Sequence, residues 1–331
     1  MNEPNYLLQV ENLKKYFPVK KRFLSRNSEY VKSVDGISLK ITKGKILGLV
    51  GESGCGKTTT GRTILNLLEP TYGSVVFENK VIFDVENKVR ISKKDMLAMR
   101  KDMQIIFQDP YSSLDPHMNI GDILTEGLKK HKIATAKDSF DKAKEILEIC
   151  GLNSSYINRY PHEFSGGQRQ RIAIGRALST NPKFIVCDEP TAALDVSIQS
   201  QILNLMIDLK DKLALTYLLI SHNLNVVKFV CDEICVMYLG IIVEKTTTEE
   251  LFKNPLHPYT KALLSSIPVT HPSMKKDRVR LKGIIPNPIN LPSGCRFNTR
   301  CPYSKPICRQ QVPEYKEVCT NHFVACHLNE F

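Results

Sequence analysis

The spacing of apolar and polar positions changes along the chain and predicts where strands and helices lie. Residues 6–50 alternate apolar and polar positions over most of their length, which predicts antiparallel strands. This region ends in Lys45–Val50, an apolar run that predicts a buried strand. From about residue 100 to residue 177 the apolar residues recur at helical spacing. The chain is therefore expected to combine a sheet with a helical region.

Two segments predict helices with an apolar face. The first is Thr135–Cys150, and Gly151 after it suits the C-terminal cap of a helix. Its apolar face consists of Phe140, Ala143, Leu147 and Cys150. The second helix begins at Asp195 and is expected to pack on a parallel sheet. Its apolar residues are Ile198, Ile202, Leu205, Leu209 and Leu213.

The segment after the buried strand predicts a phosphate site. It reads Gly-Glu-Ser-Gly-Cys-Gly-Lys-Thr-Thr and fits the pattern GxxxxGK[ST] without a mismatch. In such a loop successive backbone N–H groups wrap the phosphates, and the helix that follows, here Lys57–Leu68, favours anions at its start. Lys57 is expected to reach the outer phosphates, and Thr58 to bind Mg²⁺. The predicted ATP or GTP ligands are Gly51, Glu52, Ser53, Gly54, Cys55, Gly56, Lys57, Thr58 and Thr59.

A second buried strand predicts the acidic part of the site. The apolar run Phe184–Cys187 ends in Asp188 and Glu189. Asp188 suits Mg²⁺ binding through water, and Glu189 suits the general base that activates the attacking water. Two solvated acids at a strand end are the alternative, and the preceding phosphate loop favours the catalytic interpretation.

The segment Phe164–Arg171, Phe-Ser-Gly-Gly-Gln-Arg-Gln-Arg, resembles the signature motif of ATP-binding cassette (ABC) ATPases, with Phe at a position more often held by Leu. A serine and two glycines at a helix start form a second anion-binding end. The resemblance implies that this end closes over the γ-phosphate held by an opposite subunit. The residues concerned are Ser165, Gly166, Gly167 and Gln168.

Three further segments resemble motifs of that family in the expected order: a Q-loop at Phe107–Asp109, a D-loop at Ala193–Asp195 and an H-loop at Ser221–Asn223. The resemblance implies that Gln108 contacts Mg²⁺ and the lytic water. It implies that His222 contacts the γ-phosphate and that Asp195 shapes the site across the interface. Asn223 departs from the usual Asp.

The resemblance also implies an aromatic residue that stacks on adenine and a surface that receives the membrane subunit. Phe17 is the first choice for stacking and Tyr16 the rival, with a core position as the alternative for both. The turn-rich segment Asp109–Pro116 lies at the front of the expected helical subdomain and is assigned to coupling.

Composition is that of a globular protein without a membrane span. The chain has 331 residues, 42% of them hydrophobic and 24% charged, which fits about two domains. No apolar run approaches the roughly 18–20 residues that span a bilayer, and the N-terminus lacks a signal pattern, so a cytosolic chain that meets membranes through partners is expected. The net charge of +12 suggests binding to nucleic acid or to anionic lipid, but no nucleic-acid fold signature accompanies it. The basic residues Lys20, Lys21, Arg22, Arg26 and Lys32 are expected to be mainly solvated surface.

Half of the ten cysteines follow residue 294. In a reducing compartment such clustering favours a metal over disulfides. The spacing lacks the C-x₂-C pairs of structural zinc and is compatible with an iron–sulfur cluster, while zinc or no metal remain alternatives. The other five cysteines are expected to be buried fillers.

The segments Asn254–Lys261, Gly294–Pro302 and His322–Cys326 resemble the tail of ATPase subunits of oligopeptide and dipeptide ABC importers. The resemblance implies a [4Fe–4S] cluster, with Cys319 outside the ligand pattern. The implied ligands are Cys295, Cys301, Cys308 and Cys326.

These expectations give an α/β fold of the ABC type: a mixed sheet core, an antiparallel β subdomain, a helical subdomain and a small Cys-rich extension. The domains are expected at 1–252, with the helical subdomain at about 100–177, and at 253–331. The resemblance implies an ATPase that uses ATP and Mg²⁺ to drive peptide import. Its implied partners are a second ATPase subunit, two membrane permease subunits and an extracytoplasmic peptide-binding protein, but no nucleic acid. A soluble ABC ATPase acting on nucleic acid or ribosomes is the alternative.

Overall fold

The computed structural model describes residues 5–19, 29–267, 281 and 283–328. Of the basic residues named above only Lys32 is among them, and Lys20, Lys21, Arg22 and Arg26 lie outside the described residues. The described chain divides into two compact units, the first comprising Asn5, residues 42–45 and residues 91–219. The second comprises residues 6–41, 46–90 and 220 onward. Within the described ranges, no helix combines the length and apolar character needed to cross a membrane.

In the described part of the chain the strands are β1 (Tyr6–Pro18), β2 (Tyr30–Thr42), β3 (Ile46–Val50), β4 (Tyr72–Phe77), β5 (Lys80–Asp84), β6 (Val89–Arg90), β7 (Met103–Ile106), β8 (Phe184–Asp188), β9 (Thr216–Ser221), β10 (Glu233–Tyr238), β11 (Ile241–Thr247), β12 (Tyr315–Cys319) and β13 (His322–Ala325). The α-helices are α1 (Lys57–Ile64), α2 (Lys93–Arg100), α3 (Pro110–Ser113), α4 (Ile120–Lys130), α5 (Ala136–Ile149), α6 (Gly166–Leu178), α7 (Val196–Leu213), α8 (Leu224–Val230), α9 (Thr248–Lys253), α10 (Pro258–Ser265) and α11 (Pro306–Gln310). Two 3₁₀ helices cover Ser154–Asn158 and Pro161–Glu163.

The second unit contains an antiparallel sheet and a mixed sheet. The strand order β2-β1-β4-β5-β6 gives the first, with Leu8 opposite Phe77 where β1 meets β4. The order β12-β13-β11-β10-β3 gives the second, in which β10 runs parallel to β3 and antiparallel to β11. The alternating pattern of residues 6–50 therefore covers two sheets. β1 has the predicted antiparallel setting against β4, whereas β3 pairs in parallel with β10.

The buried strand before the phosphate loop is confirmed, but the helix after it is shorter than predicted. All five residues of β3 are buried. Helix α1 ends at Ile64 instead of Leu68, since Asn66 has a φ of 52° in the left-handed region and stops the helix there. The loop follows the carboxyl end of β3, a strand that pairs in parallel with β10, and this is the end of a parallel sheet at which ligands bind.

In the first unit β9, β8 and β7 lie side by side in that order, and β7 runs parallel to β8. The last two residues of β9 are counted with the second unit. The prediction of helix throughout residues 100–177 was wrong for β7, because a four-residue segment, here Met-Gln-Ile-Ile, is too short for the spacing of its apolar residues to distinguish a strand from a helix.

Helices α4, α5 and α6 enclose a core that includes Ile123, Leu124, Leu147 and Ile172. The prediction for α5 is confirmed: Thr135 caps its start by accepting from the Asp138 amide, and Gly151 has a φ of 72° just beyond its end.

Two apolar residues that were placed on buried helix faces lie in solvent instead. Phe140 is 39% exposed and Leu213, at the end of α7, is 40% exposed. Ile202 and Leu209 of α7 are buried as predicted. The five cysteines expected to be fillers are all buried: Cys55, Cys150, Cys187, Cys231 and Cys235.

Candidate nucleotide site and cysteine group

The phosphate loop, residues 51–59, runs from the end of β3 into the first turn of α1. Gly54 and Gly56 have φ values of 79° and 106°, which side-chain-bearing residues rarely adopt. The Lys57 ammonium donates to the carbonyl oxygens of Gly51, at 2.8 Å, and Glu52, at 3.1 Å. Lys57 is only 5% exposed. The lysine is thus held across the loop, with its charge close to the backbone groups that would face a phosphate.

The loop lies tightly against main chain from β2 and the end of β10. A Cβ added to Gly51 would lie 2.2 Å from the carbonyl oxygen of Met237, and one added to Gly56 would lie 2.0 Å from that of Ser33. Heavy atoms do not approach so closely, so both positions require glycine. The Ser33 hydroxyl also donates to Thr59 Oγ1 at 3.0 Å.

Glu52 is held by side chains that the sequence analysis missed. Its carboxylate accepts two hydrogen bonds from the Arg300 guanidinium, at 2.7 and 3.0 Å. Its amide donates to the Tyr259 hydroxyl at 2.9 Å. These partners are separated from Glu52 by more than 200 residues, and no local sequence signal pairs them.

The acidic strand end and the Q-loop meet in the first unit. Asp188 is the last residue of β8 and is 1% exposed. Glu189 follows it with a φ of 47°, in the left-handed region that non-glycine residues seldom occupy. The Gln108 side-chain amide donates to the Glu189 carboxylate at 3.0 Å. Two of the three predicted catalytic residues are therefore in direct contact, with backbone strain at the proposed base.

The signature residues form the start of α6. Ser165 Oγ accepts from the Gln168 amide at 3.4 Å, and Gln168 Oε1 accepts from the Ser165 amide at 3.0 Å, which together make a capping box. The two glycines differ. A Cβ on Gly167 would lie 2.6 Å from Ile198 Cγ2, whereas a Cβ on Gly166 would meet nothing closer than 3.5 Å. Gly167 therefore serves the packing of α6 on α7, and that requirement does not extend to Gly166.

The D-loop and H-loop residues lie at helix starts. Asp195 occupies the N-cap position of α7 and is exposed. The turn before it is held by Gln199, whose side chain donates to the carbonyls of Thr191 and Leu194. His222 is exposed just after β9. Asn223 caps α8 by accepting from the Asn225 amide at 3.0 Å, a role that Asn and Asp fill equally well, so its departure from the family pattern costs the turn nothing.

The two candidate adenine-stacking residues differ in their contacts. The Tyr16 hydroxyl donates to Asp35, which also pairs with Arg296, and burial together with the carboxylate raises the pKa of Tyr16. Phe17 is half-buried, and the Lys15 ammonium lies 4.9 Å from its ring centroid. Both residues are half-buried, and they differ in that the Tyr16 hydroxyl is bonded to Asp35 whereas Phe17 has no polar group to bond.

Four C-terminal cysteines, here called the cysteine group, influence one another electrostatically: Cys295, Cys301, Cys308 and Cys326. Burial and then the other thiols raise the pKa of Cys295 to about 11, so its thiol is protonated near neutral pH. Cys319 lies exposed on β12. Within the described residues, however, no three His, Cys, Asp or Glu side chains are arranged to hold a metal ion. The arrangement of the thiols in this structure is therefore not that of a formed metal site.

Two family models match the chain. The ABC transporter model covers residues 34–192, and the model of the oligopeptide/dipeptide transporter C-terminal region covers residues 243–308. The oligopeptide transport ATP-binding protein AppF of Bacillus subtilis is 50% identical over 97% of both chains. The chain belongs to the ABC transporter ATP-binding proteins of the oligopeptide and dipeptide type.

Other members and structures agree with this family. The dipeptide transport ATP-binding protein DppF of Haemophilus influenzae is 45% identical over 98% of both chains. A dimeric post-hydrolysis structure of the ATP-binding cassette MJ0796 bound to ADP and Pi has a TM-score of 0.62 and 26% identity, and the match covers 73% of this chain and 98% of that one. The predicted family, the ABC fold and the ATPase class are thereby confirmed. The alternative of a soluble ABC ATPase on nucleic acid or ribosomes is not favoured. The domain boundary at 252/253 and the individual site residues stay predictions.

Proposed function

We propose that this ABC ATPase energises the import of oligopeptides or dipeptides across a membrane. The observation that carries the cargo class is the match of residues 243–308 to the C-terminal region of oligopeptide and dipeptide transporters. The relatives named for oligopeptide and dipeptide transport align with nearly the whole chain, which supports the same assignment.

Each motif has a distinct chemical part in the proposed ATPase. The phosphate loop binds the triphosphate through backbone amides and Lys57, and Thr58 and Asp188 hold Mg²⁺. Glu189 accepts the proton of the attacking water, and its contact with Gln108 supports a role for both at that water. His222 contacts the γ-phosphate. Phe17 is the preferred residue for stacking on adenine.

The cassette works as a pair, in which the phosphate loop of one copy faces Ser165–Gln168 of another cassette. The exposed start of α6 supports this role, since a buried helix end has no access to a second molecule. The second cassette is a copy of this chain or a paralogue. The pair binds two permease subunits at the cytoplasmic face of the membrane, and a peptide-binding protein delivers the cargo from the other side. Asp195 shapes the contact between the cassettes, and Asp109–Pro116 receives the permease.

Glu189→Gln tests the chemistry. The amide has the shape of the carboxylate but cannot accept the proton, so ATP hydrolysis is expected to fall about 10²-fold or more while MgATP binding persists. Steady-state phosphate release and equilibrium nucleotide binding measure the two properties. Glu163→Gln, at an exposed glutamate next to the signature segment, is the matched control and should keep hydrolysis within twofold. Hydrolysis by Glu189→Gln within threefold of the wild type would remove Glu189 as the base.

Cargo is tested in cells that carry only the wild-type or the Glu189→Gln chain. Uptake of radiolabelled dipeptide and tetrapeptide is expected to stop in the variant, and uptake of a sugar and of nickel to continue. Loss of nickel or sugar uptake with intact peptide uptake would contradict the peptide assignment. Recovery of ribosomes or DNA with the native chain, in place of integral membrane proteins, would favour the soluble alternative.

For the cysteine group we propose the four thiols as ligands of a [4Fe–4S] cluster. The support is the all-thiolate chemistry that such clusters use, although within the described residues these thiols are not arranged to hold a metal ion. Anaerobically purified protein is expected to contain about four iron atoms and about four acid-labile sulfides per chain. Colourless protein with stoichiometric zinc, or with no metal, would replace this proposal.

A further inference from the structure

The segment Cys295–Cys301, here called the arginine loop, contacts the phosphate loop through Arg300. The two Nη atoms of Arg300 donate to the two carboxylate oxygens of Glu52 at 2.7 and 3.0 Å. The Arg300 side chain is 7% exposed and that of Glu52 is 25% exposed. The hydrogen bonds to Glu52 are the main reason that the pKa of Arg300 is raised. A bidentate pair of this kind fixes the plane and the direction of the carboxylate as well as its distance.

A second contact holds the main chain of the same residue. The Glu52 amide donates to the Tyr259 hydroxyl at 2.9 Å, and Tyr259 is fully buried in α10. The Tyr259 ring packs against Tyr238 and against Phe297 of the arginine loop, with centroids 4.7 and 5.4 Å away. The position of the Tyr259 hydroxyl is therefore set by a packed aromatic cluster.

The other end of the arginine loop is fixed as well. Arg296 pairs with Asp35 and also donates to the carbonyl of Leu239. The arginine loop thus bridges two sites of the second unit, with Asp35 at one end and Glu52 at the other. Contacts at both arginines therefore hold this loop to the second unit.

We propose that Arg300 and Tyr259 are positioning residues of the phosphate loop, and that Glu52 is their anchor point and not a phosphate ligand. The inference rests on the proposed nucleotide site. The Glu52 amide is already used by Tyr259, so the phosphate receives its hydrogen bonds from the amides that follow. Gly54 and Gly56 give the loop conformational freedom, and ordering it upon nucleotide binding costs entropy. An anchor that orders the loop beforehand lowers this cost and raises affinity.

The test measures MgATP binding to the full-length chain by isothermal titration calorimetry, which gives the dissociation constant and the number of sites per chain separately. Arg300→Met keeps the apolar stem and removes the guanidinium, and is expected to raise the dissociation constant about tenfold at an unchanged number of sites. Arg300→Lys keeps the positive charge but cannot make the bidentate pair, so its dissociation constant should lie between those of the wild type and Arg300→Met. Arg309→Met, at an exposed arginine of the same region, is the matched control and should stay within twofold. Tyr259→Phe removes one hydroxyl and should raise the constant about threefold.

A double variant separates positioning from a general loss of structure. If Arg300 acts through Glu52, then Arg300→Met combined with Glu52→Gln should bind MgATP within twofold of the weaker single variant. Glu52→Gln alone is expected to raise the dissociation constant about tenfold, as Arg300→Met does, because either change breaks the bidentate pair. Two independent tenfold effects would multiply to about 100-fold and overturn the proposal. Two other results would also overturn it: binding by both Arg300→Met and Tyr259→Phe within twofold of the wild type, or a change only in the number of sites. Unaltered binding by Lys57→Ala would instead refute the nucleotide site itself, and the anchor with it.

Discussion

Helices α1 and α6 both present an N-terminus suited to a phosphate, but they are built in different ways. Gly56, just before α1, adopts a left-handed φ, and the main-chain oxygen of Ser33 fills the space beside it, as that of Met237 does beside Gly51. The start of α6 is closed by its own residues, because Ser165 and Gln168 satisfy each other's amides. The first helix start therefore depends on distant parts of the chain, and the second depends on four consecutive residues.

This difference matches the two proposed tasks. The phosphate loop must bind its ligand tightly within its own copy, and distant contacts hold it in one conformation. The signature segment must meet a ligand bound to another cassette, and a local cap leaves its surface exposed.

A glycine-to-alanine substitution should give the largest difference in the free energy of unfolding between the two helix starts. Gly56→Ala should lower the free energy of unfolding by about 3 kcal/mol or more, because the left-handed φ costs about 1–2 kcal/mol and the overlap with Ser33 about 1–3 kcal/mol. Gly166→Ala meets no close atom within a helix and should be neutral or stabilise by up to about 1 kcal/mol. Urea unfolding of both variants measures this. Equal losses would mean that the two starts are equally dependent on their surroundings.

Removing a polar side chain at each helix start should affect the dissociation constant for MgATP to different extents. Lys57→Ala should raise the dissociation constant for MgATP about 100-fold in the single cassette, because a buried ammonium that faces phosphate is lost. Ser165→Ala should leave that constant within twofold, since its partner nucleotide belongs to another copy. Equilibrium titration at concentrations where the chain is monomeric checks both. A large effect of Ser165→Ala on the monomer would contradict binding in trans.

The helix that carries Tyr259, and through it holds the phosphate loop, has a titratable residue at its start, whereas the capping box of α6 contains no titratable side chain. His257 is the N-cap of α10, its Nδ1 accepts from the Tyr259 amide, and burial lowers its pKa to about 4. The unfolded chain therefore binds a proton below about pH 6.5 that the folded chain does not. Between pH 7 and pH 5 the free energy of unfolding should fall by about 2 kcal/mol from this group.

His257→Asn is the matched variant for this titration. Asn also caps helices, so the start of α10 is kept while the titration is removed. Chemical unfolding at pH 5, 6 and 7 should give a flatter dependence for the variant. The lowered pKa of the buried Glu244 carboxylate, which is hydrogen-bonded to His322, adds a loss only at more acidic pH. Parallel curves for the two proteins would show that His257 is not the source of the slope.

The smallest effect is expected at the signature cap. Ser165→Ala should lower the free energy of unfolding by about 1 kcal/mol or less, because the Ser165 Oγ to Gln168 amide distance is long, at 3.4 Å. Ser165→Asp retains a capping oxygen and should stay closer to the wild type. Thermal unfolding compares the three proteins. A loss above about 2 kcal/mol would indicate contacts beyond the capping box.

How well the sequence predicts a feature depends on how local the feature is. The Ser165–Gln168 cap follows from a spacing of three residues, and the all-buried β3 follows from its composition. The end of α1 was misplaced because only the backbone of Asn66 stops the helix. The contact between Glu52 and Arg300 spans 248 residues, so no periodicity or motif in either segment connects them.

The spacing of the first two C-terminal cysteines has a physical meaning that thiol chemistry alone does not supply. Five residues separate Cys295 from Cys301, and two of them reach Asp35 and Glu52. The five-residue spacing therefore lets one short segment reach two separate acidic residues. Shortening it to the two-residue gap of a zinc knuckle would remove one of these two contacts, even if every sulfur kept its place.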